Sequence, residues 1–198
     1  MPNKTPSQLT KELPKDDKFI LCVSHLYPYK NIIRLLYSFR IVLDQVDSSI
    51  NLFIAGSRDY SSYNYKILKC IDELNLENKV FFLGKIDKKK LKDLYYTCEF
   101  LVFPSAYENF AYTLVEAMSC GAPIVCSNTT AMPESCSDAA VFFNPFDTED
   151  IAVKMIKVLK DIKLRKSLSH KSLKRAKELP SYRESTMMTL KIMNSLKK

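Results

Sequence analysis

The sequence predicts an α/β domain in which a mostly parallel, six-stranded sheet is covered by helices on both faces. Two observations carry this. Short apolar runs alternate with longer amphipathic segments along most of the chain, which is the rhythm of strand–helix–strand units. The runs are also apolar at consecutive positions, as in Phe19-Ile20-Leu21-Cys22-Val23 and Phe100-Leu101-Val102-Phe103. A strand needs apolar residues on both sides only when both faces of its sheet are buried.

The elements follow in order. Phe19 to Val23 is the first strand, with a helix over about residues 31–46 behind it. Asn51-Leu52-Phe53-Ile54-Ala55 is the second strand, followed by a helical segment near residues 63–74. Val80-Phe81-Phe82-Leu83 is the third, with a lysine-flanked helix over residues 88–97. Phe100 to Phe103 and Pro123-Ile124-Val125-Cys126 are the fourth and fifth, and Ala139-Ala140-Val141-Phe142-Phe143 the sixth. Thr148 and Asp150 open a helix carrying Ile151, Met155, Ile156, Val158 and Leu159 at helical spacing. Two more helices are expected over residues 164–178 and, after Pro180-Ser181, residues 182–196.

A chain of 198 residues is long enough for one domain with a substantial core. Residues 1–17 are polar and lysine-bearing and read as a disordered lead-in or linker without a secretory signal, which leaves residues 18–198 as the domain, with C-terminal helices from about residue 148. The six cysteines form no C-x-x-C pair and only two histidines exist, so a zinc site is not expected. Reduced thiols suit a cytoplasmic protein, and no apolar run is long enough to span a membrane. Residues 151–198 carry fourteen Lys and Arg against three Asp and Glu. Such a face reads as a solvated lysine-rich surface or as a peripheral contact to the anionic inner face of a membrane. Nucleic acid is not an expected partner, because the basic residues lack aromatic interleaving and no recognition module is present.

The chemistry concentrates around the fourth strand. Phe100 to Phe103 runs into a Pro104-Ser105 turn, Glu108 precedes a short helix, Glu116 lies about two turns along that helix, and Gly121 closes it. A helix N-terminus behind a strand offers free N–H groups to an anion. Lys30, just ahead of the first helix, is a second anion partner at a strand's carboxyl end. Each residue also has a plain reading. Lys30 can be a solvated lysine, Gly84 a strand-ending turn, Glu116 a solvent-exposed helix-edge residue, and Glu108 a favourable helix-terminal charge worth about 0.3–1 kcal/mol.

The Glu108–Glu116 spacing, the run Glu116-Ala117-Met118-Ser119-Cys120-Gly121 and the order of segments over residues 19–150 resemble the carboxyl-terminal, nucleotide-sugar-binding domain of retaining, family-four glycosyltransferases with the GT-B fold. The resemblance implies a Rossmann-like doubly wound domain and transfer of a hexose from a nucleoside diphosphate sugar to a glycan or lipid-linked acceptor in polysaccharide biosynthesis. It implies that Glu108 faces the donor sugar and Glu116 the ribose hydroxyls. Lys30 reaches the diphosphate, the main chains of Lys85 and Ile86 contact the base, and the N–H groups of Asn109, Phe110 and Ala111 face sugar and phosphates. No cofactor and no metal are implied, since no Asp-x-Asp is present.

Departures from the family pattern are His25 in place of an arginine, which implies either weaker diphosphate binding or compensation by another residue such as Arg58, and alanine at Ala111 and serine at Ser137 where glycine is usual. Ser127 to Glu134 and Ser137 to Ala140 resemble segments that shape the site's rim. The acceptor belongs to an amino-terminal domain that these 198 residues do not contain. A split-enzyme partner, or a homo-oligomer formed through the last helix, follows as an expectation. The alternative is a degenerate, inactive half-domain acting through partner or membrane contacts.

Overall fold

The computed structural model describes residues 18–46, 49–57 and 61–196. The lead-in expected over residues 1–17 and the candidate compensating Arg58 lie outside the described residues. The strands are β1 (Phe19–Val23), β2 (Asn51–Ala55), β3 (Val80–Gly84), β4 (Phe100–Phe103), β5 (Ile124–Ser127) and β6 (Ala140–Phe143). They form one parallel sheet ordered β3-β2-β1-β4-β5-β6. Around it lie α1 (Ile32–Gln45), α2 (Ser61–Glu73), α3 (Lys88–Thr97), α4 (Tyr112–Ser119), α5 (Met132–Cys136), α6 (Thr148–Lys160), α7 (Ile162–Glu178) and α8 (Tyr182–Ser195).

The continuous apolar runs have the expected consequence. In β1, Ile20 and Cys22 face one core with α1, α2 and α6, while Phe19 and Leu21 face a second core with α3, α4 and α5. The same division continues through Leu52, Ile54 against Phe53 in β2 and Val102 against Leu101, Phe103 in β4. Each fully buried side chain of this size contributes about 1.5–3 kcal/mol of transfer free energy, so both faces hold the sheet.

Chain order reverses direction between β1 and β4, which are neighbours in the sheet although β2 and β3 intervene in sequence. At such a switch point the loops after the two strands splay to opposite sides and leave a crevice at their carboxyl ends. The loops carrying Lys30 and Glu108 are these two.

Some local details differ from the sequence expectation and others match it. The α1 helix begins at Ile32, because Asn31 adopts a left-handed conformation (φ 61°) that a helix cannot continue. α6 opens at Thr148 as expected, and its cap is Asp147, whose carboxylate accepts from the N–H groups of Glu149 (2.9 Å) and Asp150 (3.0 Å). The segment around Pro133-Glu134 contains the short helix α5. Gly121 closes α4 as expected: its N–H donates to Met118 O and that of Ala122 to Ala117 O, the paired bonds of a Schellman turn, with φ 71° at Gly121.

The last two helices behave differently from each other. α7 meets the first core through Leu164 and Leu168 and the second through its later turns, where Ala176 packs, Ser172 donates to Ala122 O (2.9 Å) and Arg175 to Ser135 O (3.0 Å) and Glu134 O (2.8 Å). α8 leaves Met187, Met188, Leu190, Ile192 and Met193 exposed, in keeping with the contact surface expected of the last helix, and Leu196 just beyond it is exposed as well. Among the described residues no helix is long and apolar enough to cross a membrane.

Candidate functional site

The carboxyl ends of four strands, β1 to β4, meet at one edge of the sheet, and main-chain bonds stitch them together. Ser24 N–H donates to Ala55 O (2.8 Å), Gly56 N–H to Gly84 O (2.9 Å), and Ala106 N–H to Tyr29 O (2.8 Å). Gly56 is required for the first contact. A Cβ there would lie 2.1 Å from Ser24 O, and its φ of 143° is open to glycine alone.

Lys30 ends a short 3-10 turn, Pro28–Lys30, whose residue Asn31 then directs the chain into α1. The Lys30 ammonium forms an ion pair with the Glu108 carboxylate, and the two side chains are only 14% and 13% exposed. Aromatic rings wall the ammonium in, with the ring centres of Tyr29 at 5.1 Å and Phe103 at 5.6 Å. Glu108 is anchored by its own N–H, which donates to Thr130 Oγ1 at 3.1 Å. Thr129 Oγ1 donates to Ala106 O (3.1 Å) and holds the same loop from the β5 side. Thr130 does this from a left-handed conformation (φ 51°), unusual for a β-branched residue.

α4 begins at Tyr112, so Glu108 stands ahead of the helix as expected, while Glu116 lies about one turn along it, where its spacing suggested two. Ala111 is the cap residue and is buried, without a side-chain cap bond. Among the described residues the N–H groups of Asn109, Phe110 and Ala111 meet no acceptor. Phe110 is exposed, and Asn109 is held by the Tyr107 hydroxyl (2.7 Å).

The structure does not bring Glu116 to Lys30 as a direct partner. Glu116 lies on the exposed side of α4, where the Tyr95 hydroxyl approaches its carboxylate at 3.5 Å. Burial, and then the Glu116 charge beside it, push the Tyr95 phenol well above its usual range, so it stays a hydrogen-bond donor.

His25, Lys85 and Ile86 form a second grouping. With Val23, Gly56, Ser57 and Leu91 they line a cleft of about 470 Å³ at the ends of β1, β2 and β3. His25 Nδ1 is paired with Ser57 Oγ, which ties two lining residues of that cleft together. Among the described residues no group of three or more His, Cys, Asp or Glu side chains gathers as a metal site.

Sequence reasoning missed three residues. Asn31 donates its amide to Pro104 O (3.1 Å) and Pro145 O (2.7 Å), tying the loops after β1, β4 and β6 into one rim. Thr130 and Ser105 are the others. Ser105 is buried between Pro104 and Ala106, and its hydroxyl has no hydrogen-bond partner among the described residues. The asparagine after the Pro28 turn was a usable signal, since asparagine tolerates left-handed geometry; Thr130 fell within the rim segment Ser127 to Glu134 without a role of its own, and Ser105 gave no signal.

Fold and edge chemistry define the class: a doubly wound α/β domain with a lysine–carboxylate pair at its switch point and a glycine-floored cleft beside it. The chain belongs to the glycosyl transferases group 1 family, whose model matches residues 5–175. It is 29% identical over 172 residues to O-antigen chain mannosyltransferase B of Escherichia coli, covering 87% of this chain and 44% of that protein. Sucrose-phosphate synthase from Thermosynechococcus elongatus superposes with a TM-score of 0.79 at 25% identity, over 96% of this chain and 47% of that one. Anabaena HepE, solved with UDP and glucose, gives a TM-score of 0.78 at 20% identity, over 92% of this chain and 48% of that one. The chain thus spans about half the length of these proteins, and its fold is one Rossmann-like half of a GT-B glycosyltransferase.

Proposed function

We propose that the chain is the donor-binding half of a retaining hexosyltransferase, which holds a nucleoside diphosphate hexose and passes the sugar to a glycan or lipid-linked acceptor in polysaccharide biosynthesis. The observation that carries this reading is the meeting of Lys30 and Glu108 at the switch point, beside the acceptor-free N–H groups of Asn109, Phe110 and Ala111. An ammonium and converging N–H groups suit the two phosphates and the charge that develops on them as the sugar leaves. A carboxylate in the same place suits the positive charge growing on the sugar ring. The cleft of about 470 Å³ lined by Gly56, Lys85 and Ile86 takes the nucleoside, the main chains of Lys85 and Ile86 meeting the base. Glu116 takes the ribose hydroxyls, its exposed carboxylate being free to rotate from Tyr95.

The E. coli relative is named a mannosyltransferase, which favours mannose as the hexose, and HepE of the same fold holds UDP and glucose. The acceptor wall comes from an amino-terminal half, on the same or a separate polypeptide. The working location is the cytoplasm, with the basic residues of α6 and α7 against the inner membrane face. Calorimetric titration with UDP, GDP and their hexose conjugates tests the reading. Binding by at least one at millimolar concentration or better is expected, and none by any of them sinks it.

The exposed apolar side of α8 favours a second reading, a half-domain that works through a partner or by self-association. Hexose transfer in the presence of an amino-terminal half, lost in Glu108→Ala, rejects an inactive role. A monomer in light scattering speaks against self-association.

A further inference from the structure

We propose that Lys30 and Glu108 work as one exchange pair: Lys30 withholds Glu108 from sugar hydroxyls until a diphosphate takes over the lysine's charge. This rests on the donor reading above, and it adds a coupling within that site: the carboxylate becomes available only as a diphosphate engages the lysine.

The geometry points this way. Both side chains of the pair are largely out of solvent, at 14% and 13% exposure, so the ion pair is little screened by water. Two rings border the ammonium, Tyr29 at 5.1 Å and Phe103 at 5.6 Å, which limits where it can swing. Each main chain has an anchor: Lys30 N–H donates to Tyr27 O (3.0 Å), and Glu108 N–H donates to Thr130 Oγ1 (3.1 Å). Rotation of the two side chains is enough to open the pair.

A neutral sugar hydroxyl cannot compete with an ammonium for a carboxylate, because the charge-assisted bond is much the stronger. A diphosphate can compete with the carboxylate for the ammonium, because it brings more negative charge and the N–H groups of the Glu108 loop add to its hold. Binding of the diphosphate and freeing of the carboxylate are then one linked equilibrium, and the coupling is reciprocal. Its consequence runs against intuition. Removing the carboxylate assigned to the sugar tightens the binding of a nucleotide that carries no sugar.

The test is calorimetric titration of UDP and GDP into the wild-type chain, Glu108→Gln, Lys30→Gln and the double variant, with thermal melts to confirm folding. Glu108→Ala serves as a second carboxylate-free variant. The expected result is tightening by roughly five- to tenfold in Glu108→Gln and Glu108→Ala, and no further gain when Glu108→Gln is added to Lys30→Gln. Unchanged or weaker nucleotide binding in both Glu108 variants overturns the exchange pair and leaves the donor site standing. Equal tightening in the presence and absence of Lys30 also overturns it, since that is plain repulsion between carboxylate and phosphate. Absence of binding by all variants overturns the donor reading together with the inference.

Discussion

The side-chain amide of Asn31 donates to the main-chain carbonyl of Pro145 at 2.7 Å, across 114 positions of sequence. The same amide reaches Pro104 O, and the Asn31 carbonyl oxygen accepts from Arg34 (2.7 Å), so one buried residue joins three site-bearing loops. Asn31→Ala loses these bonds and places an alanine at φ 61°. A loss of about 2–4 kcal/mol is expected from the left-handed backbone and the lost bonds, chiefly that to Pro104 O, since Pro145 O keeps a bond from Arg34 (3.1 Å). Asn31→Gly keeps the backbone and should lose about 1 kcal/mol less. Urea unfolding of both variants measures the difference, and equal losses would mean that backbone geometry contributes nothing.

Gly56 supports the floor of the cleft through its approach to Ser24. Gly56→Ala sets a methyl group 2.1 Å from Ser24 O, a contact that only main-chain displacement can relieve. The expected cost is more than about 2 kcal/mol, the sum of left-hand strain and a forced backbone shift. Nucleotide affinity should fall with it, because His25 and Ser57 move with the displaced loop. Parallel thermal melts and UDP titrations check both; a variant as stable as the parent would refute the close approach.

Most of the fold was readable because the strands announce themselves twice, by length and by burial on both faces. Phe19–Val23, Asn51–Ala55 and Phe100–Phe103 occupy the residues their apolar runs marked. The exposure of Glu116 was also legible in principle. Leu114, Ala117 and Met118 share the buried side of α4 at helical spacing, which turns residue 116 away. The Glu108 pairing was not legible, because Lys30 lies 78 positions away and only the β1–β4 adjacency brings it near. Thr130 was hidden for the same reason, since its contact with Glu108 depends on β5 lying beside β4. Helix starts suffered most, as at Asn31, where partners distant in sequence decide the backbone.

Thr130 holds Glu108 in place through a single hydroxyl. Thr130→Val keeps the shape and removes the acceptor of the Glu108 N–H. Under the donor reading, UDP or GDP should bind as before, while the extra affinity contributed by an attached hexose falls by roughly three- to tenfold, about the worth of one hydrogen bond. Thr130→Ser should restore it. Equal effects on nucleotide and sugar nucleotide would assign Thr130 a general structural role instead.

The Ser105 hydroxyl is buried without a partner, next to the loop that carries Glu108. An unsatisfied buried hydroxyl costs about 1–3 kcal/mol relative to a satisfied one, and alanine fills nearly the same space. Ser105→Ala is therefore expected to be neutral or stabilising by up to about 1 kcal/mol. Chemical denaturation decides, and a clear loss of stability would show that the hydroxyl has a partner in solution.

Burial also sets how the protein answers alkali. Desolvation pushes the Cys22 and Cys98 thiols up to about 12 and the Cys70 thiol up to about 11. For Cys22, the nearby Lys30 charge opposes the rise. Once unfolded, these thiols ionise near pH ~8.5, so above that pH the unfolded chain holds fewer protons than the native one. Stability linked to them is fully present below about pH 8.5 and is lost as pH rises toward the raised values. Urea midpoints should stay level from neutral pH to about 8 and then fall steadily through pH 9 to 11. Cys22→Ala should start lower, through the cavity it leaves, and fall less steeply. The same burial predicts the order of labelling by a thiol reagent at pH 8: Cys120, which is partly exposed, reacts in the native state, while Cys22, Cys98, Cys126 and Cys136 wait for unfolding. Rapid native labelling of Cys22 would overturn both expectations at once, since a thiol open to reagent is open to water.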